Sequence, residues 1–238
     1  MWQIPVSLLV ISLSQNLFCC EAVAALTGPR LGDDRIVFQT TFGDIEMALY
    51  PDVAPVTSDH ILKLVKLGGY NSNHFFRVDK GFVAQTAGVT GGRLAQLDRK
   101  QREEDEKSVP LEVQQHVKHD RRGILSMGRL DDPNSGGSSF SILLGPAPHL
   151  DMLYGIFGEV TEGFDTLTKL EEVETKKEGI FVMPKDRITI LSSYVYSSTG
   201  LSNDREAASG CQRQLSELQE RFDAQAHHVE HIRAAKLP

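Results

Sequence analysis

Phe75-Phe76-Arg77, followed by Gly81-Phe82-Val83-Ala84-Gln85, sets an arginine and a glutamine among aromatic and aliphatic residues at strand spacing. In a strand, residues of equal parity share a face, so Phe75 points with Arg77 and Val83 with Gln85. The Asp79-Lys80-Gly81 turn between them closes a hairpin that presents both pairs on one surface. Such a surface suits a backbone amide held in an apolar cleft. Taken alone, the same residues equally describe a hairpin with an arginine snorkelling at its rim.

Outward from this hairpin, the chain reads as short strands separated by turn signals. Arg35 to Thr40 and Asp44 to Leu49 alternate around Phe42-Gly43, and strand-like runs follow at His74 to Val78, Phe82 to Ala87, Ile124 to Gly128, Phe140 to Leu144, Ile156 to Val160 and Arg187 to Tyr196. Pro55 opens a helix in which Ile61, Leu64 and Val65 fall at helical spacing, and Gly68-Gly69 stops it. A second helix fits Phe164 to Val173. This pattern favours an antiparallel barrel or sandwich over a parallel sheet. Arg93 to Arg122 is charged, contains Pro110, and reads as a surface loop with one helical turn.

The 238 residues, 40% hydrophobic and 24% charged, suffice for one well-buried domain with appendages. Net charge is −7, with basic and acidic residues interleaved as in Asp98-Arg99-Lys100-Gln101-Arg102-Glu103-Glu104-Asp105, which argues against a nucleic-acid partner. Residues 1–24 read as a secretory signal peptide: an apolar run from Ile4 to Leu13, then the small-x-small pattern Ala22-Val23-Ala24. The apolar run falls short of the ~20 residues of a spanning helix, so no membrane association is expected after cleavage, while an n-region without lysine or arginine leaves an uncleaved anchor as the alternative. Cleavage would remove Cys19 and Cys20 and leave Cys211 as the sole thiol. Lys236-Leu237-Pro238 is no lumenal retention signal, so the expected compartment is the endoplasmic reticulum lumen or the exterior.

Residues 197–209 read as a polar linker. Beyond them, in residues 210–238, Cys211, Leu215, Leu218, Phe222, Gln225, Val229 and Ile232 recur at spacings of three and four. The stripe fits an amphipathic helix docked on its own domain, a coiled coil forming a homodimer, or a disordered tail. In a parallel dimer Cys211 would face its twin. His227, His228 and His231 read as a solvated face rather than a metal site.

Four further motifs carry a resemblance: Gly123-Ile124-Leu125-Ser126-Met127-Gly128, the run from Asp132 to Phe140, Leu150-Asp151, and Tyr154-Gly155-Ile156-Phe157-Gly158. In this order and spacing, residues 35–196 resemble a cyclophilin, a peptidyl-prolyl cis-trans isomerase. The resemblance implies a closed eight-stranded antiparallel barrel capped by two helices, no cofactor, no metal, and proline-containing polypeptides as partners in assisted protein folding. It assigns Arg77 as the catalytic group with Phe82 and Gln85, and Val83, Gly128, Arg129, Ser139, Ser141, His149, Leu150 and Tyr154 as the substrate wall.

The chemistry needs neither nucleophile nor metal. An Xaa-Pro bond crosses a barrier of ~18–20 kcal/mol because twisting the amide abolishes its resonance. The twisted prolyl nitrogen regains a lone pair, to which a rigid guanidinium can donate. Several positions depart from the family pattern. Ser141 stands where an aromatic floors the proline pocket, Val83 replaces a methionine, Gly128 an alanine and Tyr154 a histidine. His149 stands where many members carry a tryptophan that contacts cyclosporin, so weak cyclosporin binding is expected. A proline-segment binding protein with little turnover is the alternative reading. No sequence feature recommends a hydrolase: Gly136-Gly137-Ser138-Ser139 lacks the nucleophile-elbow spacing, and no histidine announces itself as a base.

Overall fold

A computed structural model describes residues 28–179 and 181–199. The expected signal peptide, most of the linker, the apolar stripe, Cys211 and the histidine group lie outside the described residues.

Eight strands close a barrel: β1 (Asp34–Thr40), β2 (Gly43–Leu49), β3 (His74–Asp79), β4 (Val83–Thr86), β5 (Ile124–Met127), β6 (Phe140–Leu143), β7 (Ile156–Glu162) and β10 (Ile188–Ser197). Their order around the wall is β1-β10-β3-β4-β6-β5-β7-β2, and every pairing is antiparallel. Alternation places Ile36 and Phe38 of β1, Ile45 and Met47 of β2, Phe140 and Ile142 of β6 and Phe157 of β7 in one core. Phe38, Tyr70, Phe140 and Phe157 meet there with ring centres 5.0–6.1 Å apart. The Tyr70 hydroxyl donates to Ser138 O at 2.7 Å, so this buried polar group is satisfied.

Helix α1 (Pro55–Lys66) starts with proline, whose fixed φ and missing N–H suit the first turn. It has no side-chain cap of its own. Instead the Glu112 carboxylate accepts from the backbone N–H groups of Val56 at 3.1 Å and Thr57 at 2.9 Å. Ile61, Leu64 and Val65 pack into the core, and so do Leu167 and Leu170 of α3 (Phe164–Glu171).

The long connection is more ordered than its composition implies. Within Arg93 to Arg122, expected as a loop with one turn, a helix α2 spans Arg99–Asp105. Asp98 accepts from the Gln101 N–H at 2.9 Å while the Gln101 side chain accepts from the Asp98 N–H at 3.0 Å, a complete capping box. The helix then buries Gln101 and Glu104: Gln101 donates to Leu67 O and Glu104 meets His60 Nδ1 at 3.1 Å.

Among the described residues, two strands stand outside the barrel. β8 (Thr175–Glu178) and β9 (Phe181–Pro184) form a separate antiparallel hairpin beside β3, an element absent from the sequence reading.

Candidate active site

Beside the joint of β3, β4, β6 and β5 lies a cleft of about 380 Å³. Of the residues expected there, Arg77, Phe82, Val83, Gln85, Gly128, Arg129, Ser141, Leu150 and Tyr154 line it, and they come from five separate segments of chain. Ser139 and His149 do not line it.

The β3–β4 hairpin departs from simple parity. Phe75 pairs with Thr86 and Arg77 with Gln85, so Phe76 is the extra residue of a bulge. The expectation that Phe75 shares a face with Arg77 is therefore corrected: Phe75 is buried in the core at 1% exposure, whereas Phe76 and Arg77 both reach the cleft. The bulge re-aims two consecutive side chains to one side, which strict alternation forbids.

Arg77 is held from three directions. Its Cζ lies 5.3 Å from the centre of the Phe82 ring and 5.8 Å from that of Phe181, and Nη2 donates to Asp79 Oδ2 at 3.2 Å. Each cation–π contact contributes about 0.5–1 kcal/mol at an exposed site and ~2 kcal/mol when desolvated. The Nε–H is shielded from solvent and makes no hydrogen bond.

Phe82 is itself fixed by the turn before β4. Its N–H donates to Asp79 O at 2.9 Å, and Gly81 takes φ +73, a left-handed conformation that suits glycine. Glu171 of α3 accepts from the Gly81 N–H at 2.9 Å and pairs with Arg122. The exposed His149 ring packs on Phe82, 5.4 Å between centres, so it backs the wall rather than forming it.

Gln85 donates from Nε2 to Ser139 Oγ at 3.2 Å, and Ser139 donates to Thr86 O at 2.7 Å. Ser139 thus orients the glutamine from outside the lining of the cleft. Gly128 donates to Ser139 O at 3.0 Å, and a Cβ there would come within 2.7 Å of that oxygen, so even alanine would require the backbone to shift. Arg129 stacks 5.1 Å from the centre of Tyr154 and donates to Leu153 O and Leu130 O, both at 2.7 Å. Ser141 stands opposite Gln85 on β4 and Ser126 on β5, leaving the floor of the cleft without a ring.

Sequence reasoning missed Phe76, Ser126, Met127, Leu130 and Phe181 among the lining residues. It also missed a buried chain behind the floor. Asp151 Oδ1 accepts from His119 Nδ1 at 3.0 Å, and His119 Nε2 accepts from Ser126 Oγ at 2.9 Å. Burial pushes the His119 imidazole below its ordinary pKa against the pull of Asp151, which favours the neutral tautomer with its proton on Nδ1. Burial would raise Asp151, but hydrogen bonds from the His119 backbone and ring, together with Lys118, outweigh it and hold the carboxyl low. The His119 main chain also bonds Asp151 Oδ1 and the Ala147 N–H, so the chain ties the segment carrying Leu150 to β5.

This architecture has known counterparts. The model of the family "Cyclophilin type peptidyl-prolyl cis-trans isomerase/CLD" matches residues 35–195. Peptidyl-prolyl cis-trans isomerase CYP23 of Arabidopsis thaliana is 54% identical over 230 residues, 97% of either chain. Human peptidyl-prolyl cis-trans isomerase-like 3 is 36% identical over 144 residues, 60% of this chain and 85% of its own. A solved cyclophilin-type isomerase of Cryptosporidium parvum, crystallised in the presence of the dipeptide Ala-Pro, superimposes with a TM-score of 0.59 at 30% identity, covering 68% of this chain and 99% of that one. With the barrel, the cleft and these relatives agreeing, the chain belongs to the cyclophilin-type peptidyl-prolyl cis-trans isomerases.

Proposed function

We propose that this isomerase turns Xaa-Pro bonds of client polypeptides at the Arg77 cleft, with Phe82, Leu150 and Tyr154 around the prolyl ring and Gln85 on the flanking backbone. The observation that carries the reading is the guanidinium pinned between aromatic rings at the mouth of an apolar cleft. As the amide twists, its nitrogen becomes an acceptor, and a donor fixed in advance favours that geometry over either planar isomer. A hydrogen bond from a charged donor contributes ~1.5–3 kcal/mol, roughly one to two powers of ten in rate. Desolvation of the amide and restraint of its neighbours supply the remainder.

The test is NMR exchange spectroscopy between the cis and trans signals of a short Xaa-Pro peptide, free of any coupled protease. Arg77→Ala should slow exchange by one to two powers of ten, by the arithmetic above. Exchange at the wild-type rate in that variant would remove Arg77 from the mechanism. A second reading, a proline-segment binder with slow turnover, is favoured by Ser141 alone, and peptide binding without exchange would support it.

The compartment is part of the proposal. The apolar N-terminus and Ala22-Val23-Ala24 support entry to the secretory pathway and cleavage there, and cell fractionation with N-terminal sequencing tests both. In that compartment the isomerase would act as a folding assistant. Cyclosporin should bind weakly because His149 presents its ring to Phe82. A tight complex in a calorimetric titration would show otherwise.

A further inference from the structure

The cleft does not stop at the proline pocket. A cavity of roughly 150 Å³ holds a benzene ring, whereas this one measures about 380 Å³ and continues past Arg77 to Phe76 and Phe181. Those two rings meet edge to face at 5.6 Å between centres. Both are half-buried, so each keeps part of its surface open. Phe76 is there because of the bulge in β3, and Phe181 because the β8–β9 hairpin folds against that strand.

We propose that Phe76 and Phe181 form a second, aromatic subsite beside the guanidinium, which takes an apolar side chain from a residue flanking the proline. The inference rests on the Arg77 reading, since the subsite is an extension of that groove. Its chemistry follows from what the wall offers. Two ring faces and the arginine stem attract apolar and aromatic groups. The guanidinium is already paired with Asp79, which leaves an acidic side chain little to gain. Phe181 therefore sets preference as well as helping to hold Arg77.

Two peptide series decide it, one varying the residue before proline and the other the residue after, each through Gly, Leu, Phe and Glu. At one of the two positions Leu and Phe should exceed Gly by about tenfold in kcat/KM, the scale of discrimination an apolar pocket provides, with the difference mainly in KM. Phe181→Ser should flatten that ratio, and Phe181→Leu should retain most of it. A flat wild-type series at both positions would overturn the subsite. So would a Phe181→Ser variant that slows every peptide equally while the ratio persists, because Phe181 would then act only through Arg77. Titrations of peptide binding carry the same ratio whether or not turnover occurs, so they test the subsite even if exchange fails on all peptides. That last outcome would count against the Arg77 reading instead.

Discussion

Replacing Ser141 by phenylalanine should tighten substrate binding. Ser141 lines the cleft between its register partners Gln85 and Ser126, with no aromatic ring on that part of the floor. An aromatic side chain buries roughly 150–250 Å². If about a quarter of this lies against a bound prolyl ring, roughly 50 Å² leaves water at ~25 cal/mol/Å², or about 1.3 kcal/mol, close to tenfold in affinity. The rotating bond lies outside the pyrrolidine ring, so contact with the ring is nearly equal in ground and transition states and the gain belongs in KM rather than kcat. The opposing effect is overpacking against the floor, which costs about 1–3 kcal/mol of stability when a well-filled site is forced. The volume of the cleft argues that it will be small. The assay is exchange spectroscopy across a substrate series, with a thermal melt to confirm folding. A folded Ser141→Phe variant with unchanged or higher KM would refute the pocket geometry drawn here.

Two further outcomes concern stability. Glu112→Ala removes the only side-chain acceptor described at the start of α1, so a loss of ~1 kcal/mol is expected, seen as a fall of about 2–4 °C in Tm; an unchanged melt would mean water caps the helix equally well. His119 is held neutral by burial, with its folded pKa below the unfolded value, so the unfolded chain binds the extra proton first. Its contribution is complete above the unfolded value near 6.5 and fades as pH falls through that value towards the folded one, and His74, likewise depressed by burial, adds the same sign. Denaturant midpoints between pH 7.5 and 5.5 should therefore decline, less steeply in His119→Asn; a rise over that window would contradict the assignment.

The barrel was legible because each strand alternates and each turn carries its own residues, while both long helices show their apolar spacing. What escaped was held by tertiary contact. Thr175-Lys176-Lys177-Glu178 is fully exposed and carries no apolar alternation, so its strand exists only through pairing with Phe181–Pro184. The bulge at Phe76 leaves no mark in the residue pattern, and it changed which phenylalanine faces the cleft. α2 lacks an apolar stripe, although Asp98 and Gln101 at capping-box spacing were a usable signal. Asp151, His119 and Ser126 are separated by up to 32 residues, and only the fold reveals them as one hydrogen-bonded chain. Ser139 and His149 were expected in the substrate wall; neither lines the cleft, and each contacts a residue that does, Gln85 and Phe82 respectively.

Closure of the barrel also governs how the molecule behaves among sticky chains. Every strand of its wall is paired on both sides, so a partly folded polypeptide that lands on it finds no ladder to extend. The wall itself is thereby no template for deposits of extended chain, and among the described residues the sheet that keeps edges is the β8–β9 hairpin.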